Sequence, residues 1–373
     1  MTFWPTAGQP DNLDSTLAIS PCRLPEDLRS PAWATDLRLH APSVCVDDGV
    51  IALGRLSAEL VAALRDRDIW IQTKPSSSRL PVPYHLVPPR LRALIAGYMG
   101  RSQKEKLVTL FPAFPVDLSV DALSDALALD NPIARYDRPP FITTHDIDSK
   151  EGLKNLLKYF LPIEERHGMR SVNYIVPCKW TLDHAILGEI KARGHQLGIH
   201  GYDHGNKTPF MPPTEIDKRL EAARGLVERY EMTGYRAPSL VRTPTLLRSL
   251  RRLFRYDSSV PTTGGLFPTP GNGCATARPF MLEGIAEIPL SMPRDGHLRF
   301  LGLSPEEILQ TWKESAALIN RSNGLTHLIT HCEVHFTGNP SMLRAYDSFL
   351  SHIAEEGKWT AIFPDELVDI PNL

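Results

Sequence analysis

No stretch of about eighteen uncharged apolar residues, the length needed for a membrane-spanning helix, occurs anywhere in the 373 residues. The opening MTFWPTAGQPDNLDST has no basic lead into an apolar run, so no secretory leader is expected and the chain reads as unexported and cytoplasmic. An excess of charge is missing too: 41 Lys and Arg against 43 Asp and Glu leave a formal charge of -2. That balance gives no overall electrostatic footprint for nucleic acid or an anionic membrane, and a neutral or small polar partner fits better. Cysteine is scarce. Cys22, Cys45, Cys178, Cys274 and Cys332 are scattered, odd in number and never in CxxC spacing, which argues against a disulfide framework or a thiolate zinc cluster. No repeat or low-complexity tract is present.

What is there is ordinary globular material. Hydrophobic residues at 42% and charged residues at 23% are enough to fold a packed core, and the length suits about two domains or one barrel with an extension. The proline-dense stretch over 75–89 cannot run as helix interior and reads as extended linker. Short helices are expected over 90–100 and 119–129.

From Phe141 the pattern changes to short β-type runs alternating with helical stretches, the signature of parallel βαβ units. Strands are expected over 141–147, 171–176, 196–200, 234–237, 256–260, 286–292 and 325–330. Helices are expected over 182–192, 215–230, 245–254 and 305–320, the last opened by Ser304, Pro305 and Glu307 as a capping box. Seven strands suffice for a distorted TIM-like (β/α)7 barrel over residues 136–373, preceded by an N-terminal extension over 1–135 for which no role is legible. In such barrels the chemistry gathers at the C-terminal strand ends. There stand Asp146 and Asp148, His200 and His204, Arg236, Asp257 and His331.

His200 and His204, four residues apart, can share a metal if a helical turn begins at the strand end. The bland alternative is a pair of surface or core histidines. A catalytic zinc-type site needs three protein ligands and an open position, commonly two His and one carboxylate. Asp146 and Asp148 lie two apart, so both face the mouth, where one can bind metal and the other take a proton. Alternatively they form an acidic turn capping a helix near Lys150. His184 and His195 read as structural, His145 and His335 as bordering the site. Glu287 reads as an acid behind the site or an edge charge, and Cys332, beside His331, as unsuited to serve as nucleophile because strand neighbours point to opposite sides.

THDID, GHQLGIHGYDH, GYRAPS and HLITH, in this order, resemble the motifs of the polysaccharide deacetylases, the NodB-homology domain of carbohydrate esterase family 4. The resemblance runs from about Phe141 to the C-terminus. It implies a distorted (β/α) barrel and removal of an N-acyl group, chiefly acetyl, from an amino sugar or glycan precursor. It also implies Asp146 as general base, Asp148, His200 and His204 as metal ligands, Arg236 holding the base, and His331 as general acid. The metal is expected to be zinc, with cobalt, nickel, iron or manganese as the other candidates. Three departures stand out: Ile147 separates the two Asp, Ser239 replaces the usual Tyr, and the usual Asp-Trp of motif four is missing. Asp257 is the expected substitute for the residue that orients His331, with Glu287 as the other candidate. A deformylase or other small-amide hydrolase at the same site and a barrel that binds carbohydrate without catalysis are the competing readings.

Overall fold

The computed structural model describes residues 44–47, 50–53, 58–71, 97–98, 112, 114–126, 131–264 and 272–370. The linker read over 75–89, most of the helix read over 90–100, the end of the one read over 119–129, and Cys22 lie outside the described residues. A hairpin of β1 (Val44–Asp47) and β2 (Val50–Leu53) precedes helices α1 (Ala58–Asp66) and α2 (Ser119–Ala126). No helix among the described residues is long and apolar enough to cross a membrane.

The barrel alternates strand and helix: β3 (Pro140–Ile147), α3 (Lys150–Asn155) continuing through a π-helical turn into α4 (Leu161–Arg166), β4 (Ser171–Ile175), α5 (His184–Ala192), β5 (Gln196–His200), α6 (Pro213–Glu221), α7 (Arg224–Tyr230), β6 (Gly234–Arg236), α8 (Pro244–Leu250) and β7 (Tyr256–Asp257). Then come β8 (Phe280–Leu282), β9 (Ile285–Glu287), α9 (Asp295–Phe300), α10 (Pro305–Arg321), β10 (Thr326–His331), α11 (Pro340–Glu356) and β11 (Thr360–Ala361). The strand order is β10-β3-β4-β5-β6-β7-β9-β8, with β11 beside the start of β3. Every neighbour is parallel except β8 and β9.

All seven expected parallel strands are therefore found, curled into a distorted and incompletely closed barrel. The ladder is open between β9 and β10, where Met292 N–H donates to His327 O at 3.2 Å and His327 N–H to Ser291 Oγ at 2.9 Å. β9 ends at Glu287 rather than running to 292 because Pro289 has no N–H for a ladder. β8 and β11 carry too little pattern to be read from sequence.

Every residue of β3 is buried, as expected of a strand covered on both faces. Its odd positions point to the helices: Thr143 and His145 meet α4 and α11 through Tyr346 and Glu164. Its even positions face the lumen, with Ile142 in a cluster with Val172, Tyr174, Tyr256 and Ile288. Ile362, Leu367 and Ile370 of the C-terminal segment belong to the same cluster. The larger core lies between sheet and helices, around Trp312, whose indole N–H donates to Pro293 O at 3.0 Å. Emptying that volume by Trp312→Ala costs about 3–5 kcal/mol.

Within the first 135 residues, α1, α2 and the segments beside them are knitted to the barrel. Val61 and Leu64 of α1 and Leu123 of α2 enter the same core, Gly273 N–H donates to Asp68 O at 3.1 Å, and Ala277 N–H to Asp121 at 2.9 Å.

Candidate active site

Register brings the polar strand ends together. His331 stands opposite Asp146 across β10 and β3, and His200 opposite Arg236 across β5 and β6. At this rim His204 Nε2 lies 3.0 Å from Asp148 Oδ1, and His200 Nε2 lies 3.5 Å from both Asp148 Oδ1 and Asp146 Oδ2. Donor atoms of Asp148, His200 and His204 lie within 4.8 Å of one another. The bland reading of the two histidines as separate surface or core residues is thus replaced by a convergent cluster.

The cluster fits a divalent cation. His200 Nδ1 is 3.1 Å from Arg236 O, so that nitrogen donates and Nε2 is left as the lone-pair side, the usual way an imidazole is oriented toward metal. Burial pulls the His200 imidazole down to about 4, which keeps it neutral and able to ligate at neutral pH. Asp148 Oδ1 is shut off from solvent without a hydrogen bond of ordinary geometry. Burial alone would raise its pKa, but His204 and His200 hold the carboxyl well below the usual range. His204 reaches the cluster from a left-handed backbone, φ 62°, a conformation costly for a residue with a Cβ and common at functional sites.

Asp146 lies beside this cluster, gripped by Arg236, whose Nη1 donates to Asp146 Oδ1 at 3.0 Å and to Thr144 Oγ1 at 2.9 Å. The rest of the guanidinium is spent on Ser258 O and Oγ at 2.9 and 3.0 Å, and it lies 4.1 Å above the Tyr174 ring. Two glycines make that pedestal. A Cβ on Gly198 would meet the Tyr174 ring at 2.6 Å, and one on Gly234 the Tyr256 ring at 2.2 Å. Burial would raise the Asp146 carboxyl; His200 and the permanently charged Arg236 outweigh it, so the group stays ionised below its usual range.

His331 faces the same mouth from β10. Its Nδ1 is 2.8 Å from Asp295 Oδ1, while Asp295 Oδ2 accepts from His331 N–H at 2.9 Å and Thr337 Oγ1 at 2.8 Å. Burial disfavours the imidazolium, yet Asp295 overrides it and lifts His331 to about 10.

Asp295 thus does what was expected of Asp257 or Glu287, and both of those expectations are corrected. Along β7 and its continuation, Ser258 faces the lumen and Arg236, so Asp257 points the other way. Asp257 accepts there from Ser259 Oγ at 2.8 Å, and Glu287, opposite it on β9, accepts from Ser259 and Val260 N–H at 3.1 and 2.9 Å. No sequence pattern marked Asp295, because its motif Pro-Arg-Asp-Gly follows a proline-interrupted strand.

His145 is likewise on the outer face, bonded to Glu164 at 2.7 Å and Thr330 at 2.8 Å, and does not line the site. His195 joins the same Glu164 network and His184 meets Tyr230, as structural residues should. His335 lies tilted against the Phe336 ring, and Cys332 is buried with its thiol pushed well up by that burial.

A second residue was missed. Glu333 Oε1 accepts from Asp148 N–H at 3.0 Å and Ser149 Oγ at 2.8 Å, tying the Asp148 turn to the strand that carries His331. Gly152 leaves room for it, since a Cβ there would meet Glu333 Oε1 at 2.2 Å. The alternative reading of the two Asp as helix caps is not met: the cap of α3 is Ser149, whose Oγ accepts from Gly152 N–H at 3.0 Å.

Residues 137–255 match the family model of the polysaccharide deacetylases. Among solved structures, a Mycobacterium smegmatis protein assigned to the polysaccharide deacetylases matches with TM-score 0.51 and 16% identity, over 65% of this chain and 93% of that one. A family 4 carbohydrate esterase from Streptomyces lividans, solved with acetate, gives TM-score 0.41 at 11% identity over 61% and 94%. A family 4 pseudoenzyme from Bacillus anthracis gives 0.43 at 13% over 64% and 68%. Of these likenesses only the first bears on the fold. Curated protein sequences give no match. Motif order, barrel and family model thus agree in placing residues 137–255 with the polysaccharide deacetylases, while the solved structure bears on the fold.

Proposed function

We propose that the protein removes an N-acyl group, chiefly acetyl, from an amino sugar or glycan precursor. Asp148, His200 and His204 would hold one divalent metal, zinc by the chemistry of two imidazoles and a carboxylate. When bound, such an ion supplies Lewis acidity to the acyl carbonyl and to a water. Asp146, ionised and aimed by Arg236, accepts the proton of the attacking water. His331, charged by its contact with Asp295, gives a proton to the departing nitrogen, which leaves poorly as an anion. Within the described N-terminal residues, α1 lies beside β8, where Arg65 stands over the Phe280 ring.

The observation that carries this reading is the two-sided arrangement: a base paired with arginine at 3.0 Å and an acid paired with aspartate at 2.8 Å flank one ligand cluster. A barrel that only binds sugar has no use for both. Acetate release from N-acetylated amino sugars, measured with the metallated protein and after chelation, tests it. Release that stops on chelation and returns with zinc supports the reading; release indifferent to metal removal contradicts it.

A further inference from the structure

The loop after β4, residues 177–183, is anchored to both ligand segments of the candidate site. Cys178 N–H donates to Tyr202 O at 3.0 Å, two residues past His200, and Lys179 Nζ donates to Asp148 O at 3.0 Å. At the crest of this loop Trp180 separates two open clefts of about 400 Å³ each. One is lined by Lys150, Leu153, Lys154, Leu182, Asp183 and Ile186 together with Trp180. The other runs toward Ala222, Leu226 and Arg229. Both lie within the range of small-ligand pockets.

Three features give the clefts a chemistry. The Trp180 indole N–H is closed off from water and has no acceptor, a state that costs free energy unless something accepts from it. Lys150 and Lys154 are exposed one helical turn apart, and among the described residues neither makes an ion pair. Asp183 is the one acid against three cations, Lys150, Lys154 and Arg229, in the two linings. A neutral overall charge thus hides a local cationic rim around an aromatic face. Because α3 starts two residues past Asp148, the Lys150 end of this rim adjoins the ligand turn.

We propose that Trp180 and the Lys150–Lys154 rim form a subsite for an anionic glycan: the sugar next to the acylated one carries a carboxylate or phosphate, stacks on the indole and pairs with the lysines. The proposal rests on the hydrolase reading for what occupies the mouth, but the cleft is testable without it.

The probes are a hyaluronan-type tetrasaccharide with alternating glucuronate, neutral tetraacetylchitotetraose, a chitobiose carrying a 6-phosphate, and N-acetylglucosamine. The parent is expected to have a higher kcat/KM on the anionic probes than on the neutral ones, a preference that shrinks between about 0.05 and 0.5 M salt. Whichever anion gains more names the partner group. The double variant Lys150→Glu/Lys154→Glu should lose about five- to tenfold on the anionic probes, the sum of two exposed charge contacts, with N-acetylglucosamine turnover unchanged. Glutamate suits the first turn at position 150 and is a good helix former at position 154, where α3 runs on toward α4, so α3 is kept. Trp180→Ala should raise KM on both tetrasaccharides by about tenfold. An anionic-to-neutral ratio that the charge reversal leaves unchanged overturns the subsite. Should no probe be hydrolysed, the hydrolase reading fails, and calorimetric binding of the glucuronate tetrasaccharide decides the cleft. Binding weakened by the reversal upholds it; absent or indifferent binding overturns it.

Discussion

Two pairs of carboxylates stand a few strands apart in this barrel and behave oppositely. Asp146 and Asp148 are held below the ordinary carboxylate range, because Arg236, His200 and His204 surround them. Asp257 and Glu287, which face each other across β7 and β9 and are fully buried, are both raised because burial prevails. Burial alone therefore does not mark a site. What separates a charged pair that can do chemistry from a proton-sharing pair that only packs is the company of Arg236 and the histidines, which outweighs burial at Asp146 and Asp148 as Arg242 does not at Asp257 and Glu287.

The sharpest way to break this comparison is to neutralise one acid of each pair. Asp146→Asn keeps shape but cannot accept a proton, so kcat should fall by about 10² to 10⁴ with metal content unchanged. Glu333→Ala should weaken metal affinity by about 10- to 100-fold by freeing the Asp148 turn. Glu333→Gln, which keeps the accepting oxygen, should restore most of it, as titration calorimetry with zinc would read.

Next in size is Asp295→Asn. Asp295 raises His331, and activity needs its protonated form, so the variant should lose its alkaline limb at a lower pH than the parent. An unmoved limb would assign that limb to another group. Asp257→Asn should have the smallest effect, with activity retained. The raised pair holds protons in the fold that the unfolded chain releases near pH 4. The pair's contribution to stability therefore falls as pH rises above about 4, and the variant should lose that contribution, seen as the difference from the parent in urea melts taken from pH 4 to 8.

The parallel strands and the convergence of Asp146, Asp148, His200, His204, Arg236 and His331 were legible because period-two runs end in polar residues at one rim. Which acid orients His331 was not legible. Asp257 follows a strand run and looked placed, but one step of alternation turns it outward, while Asp295 reaches the site from a helix start after Pro293. Glu333 escaped for a related reason: its role depends on the space left by Gly152, 181 positions earlier, which no local pattern reports. His145, adjacent to Asp146, shows the same rule from the other side, being buried against Glu164.

The most direct test of the account compares the parent with Asp146→Asn for bound metal and acetate release in the same preparations. The account predicts about one divalent ion per chain in both, acetate released from an N-acetylated amino sugar by the parent, and a loss of at least about 100-fold in the variant. A fully metallated parent that releases no acyl group from any amino sugar, or a variant as active as the parent, would contradict it.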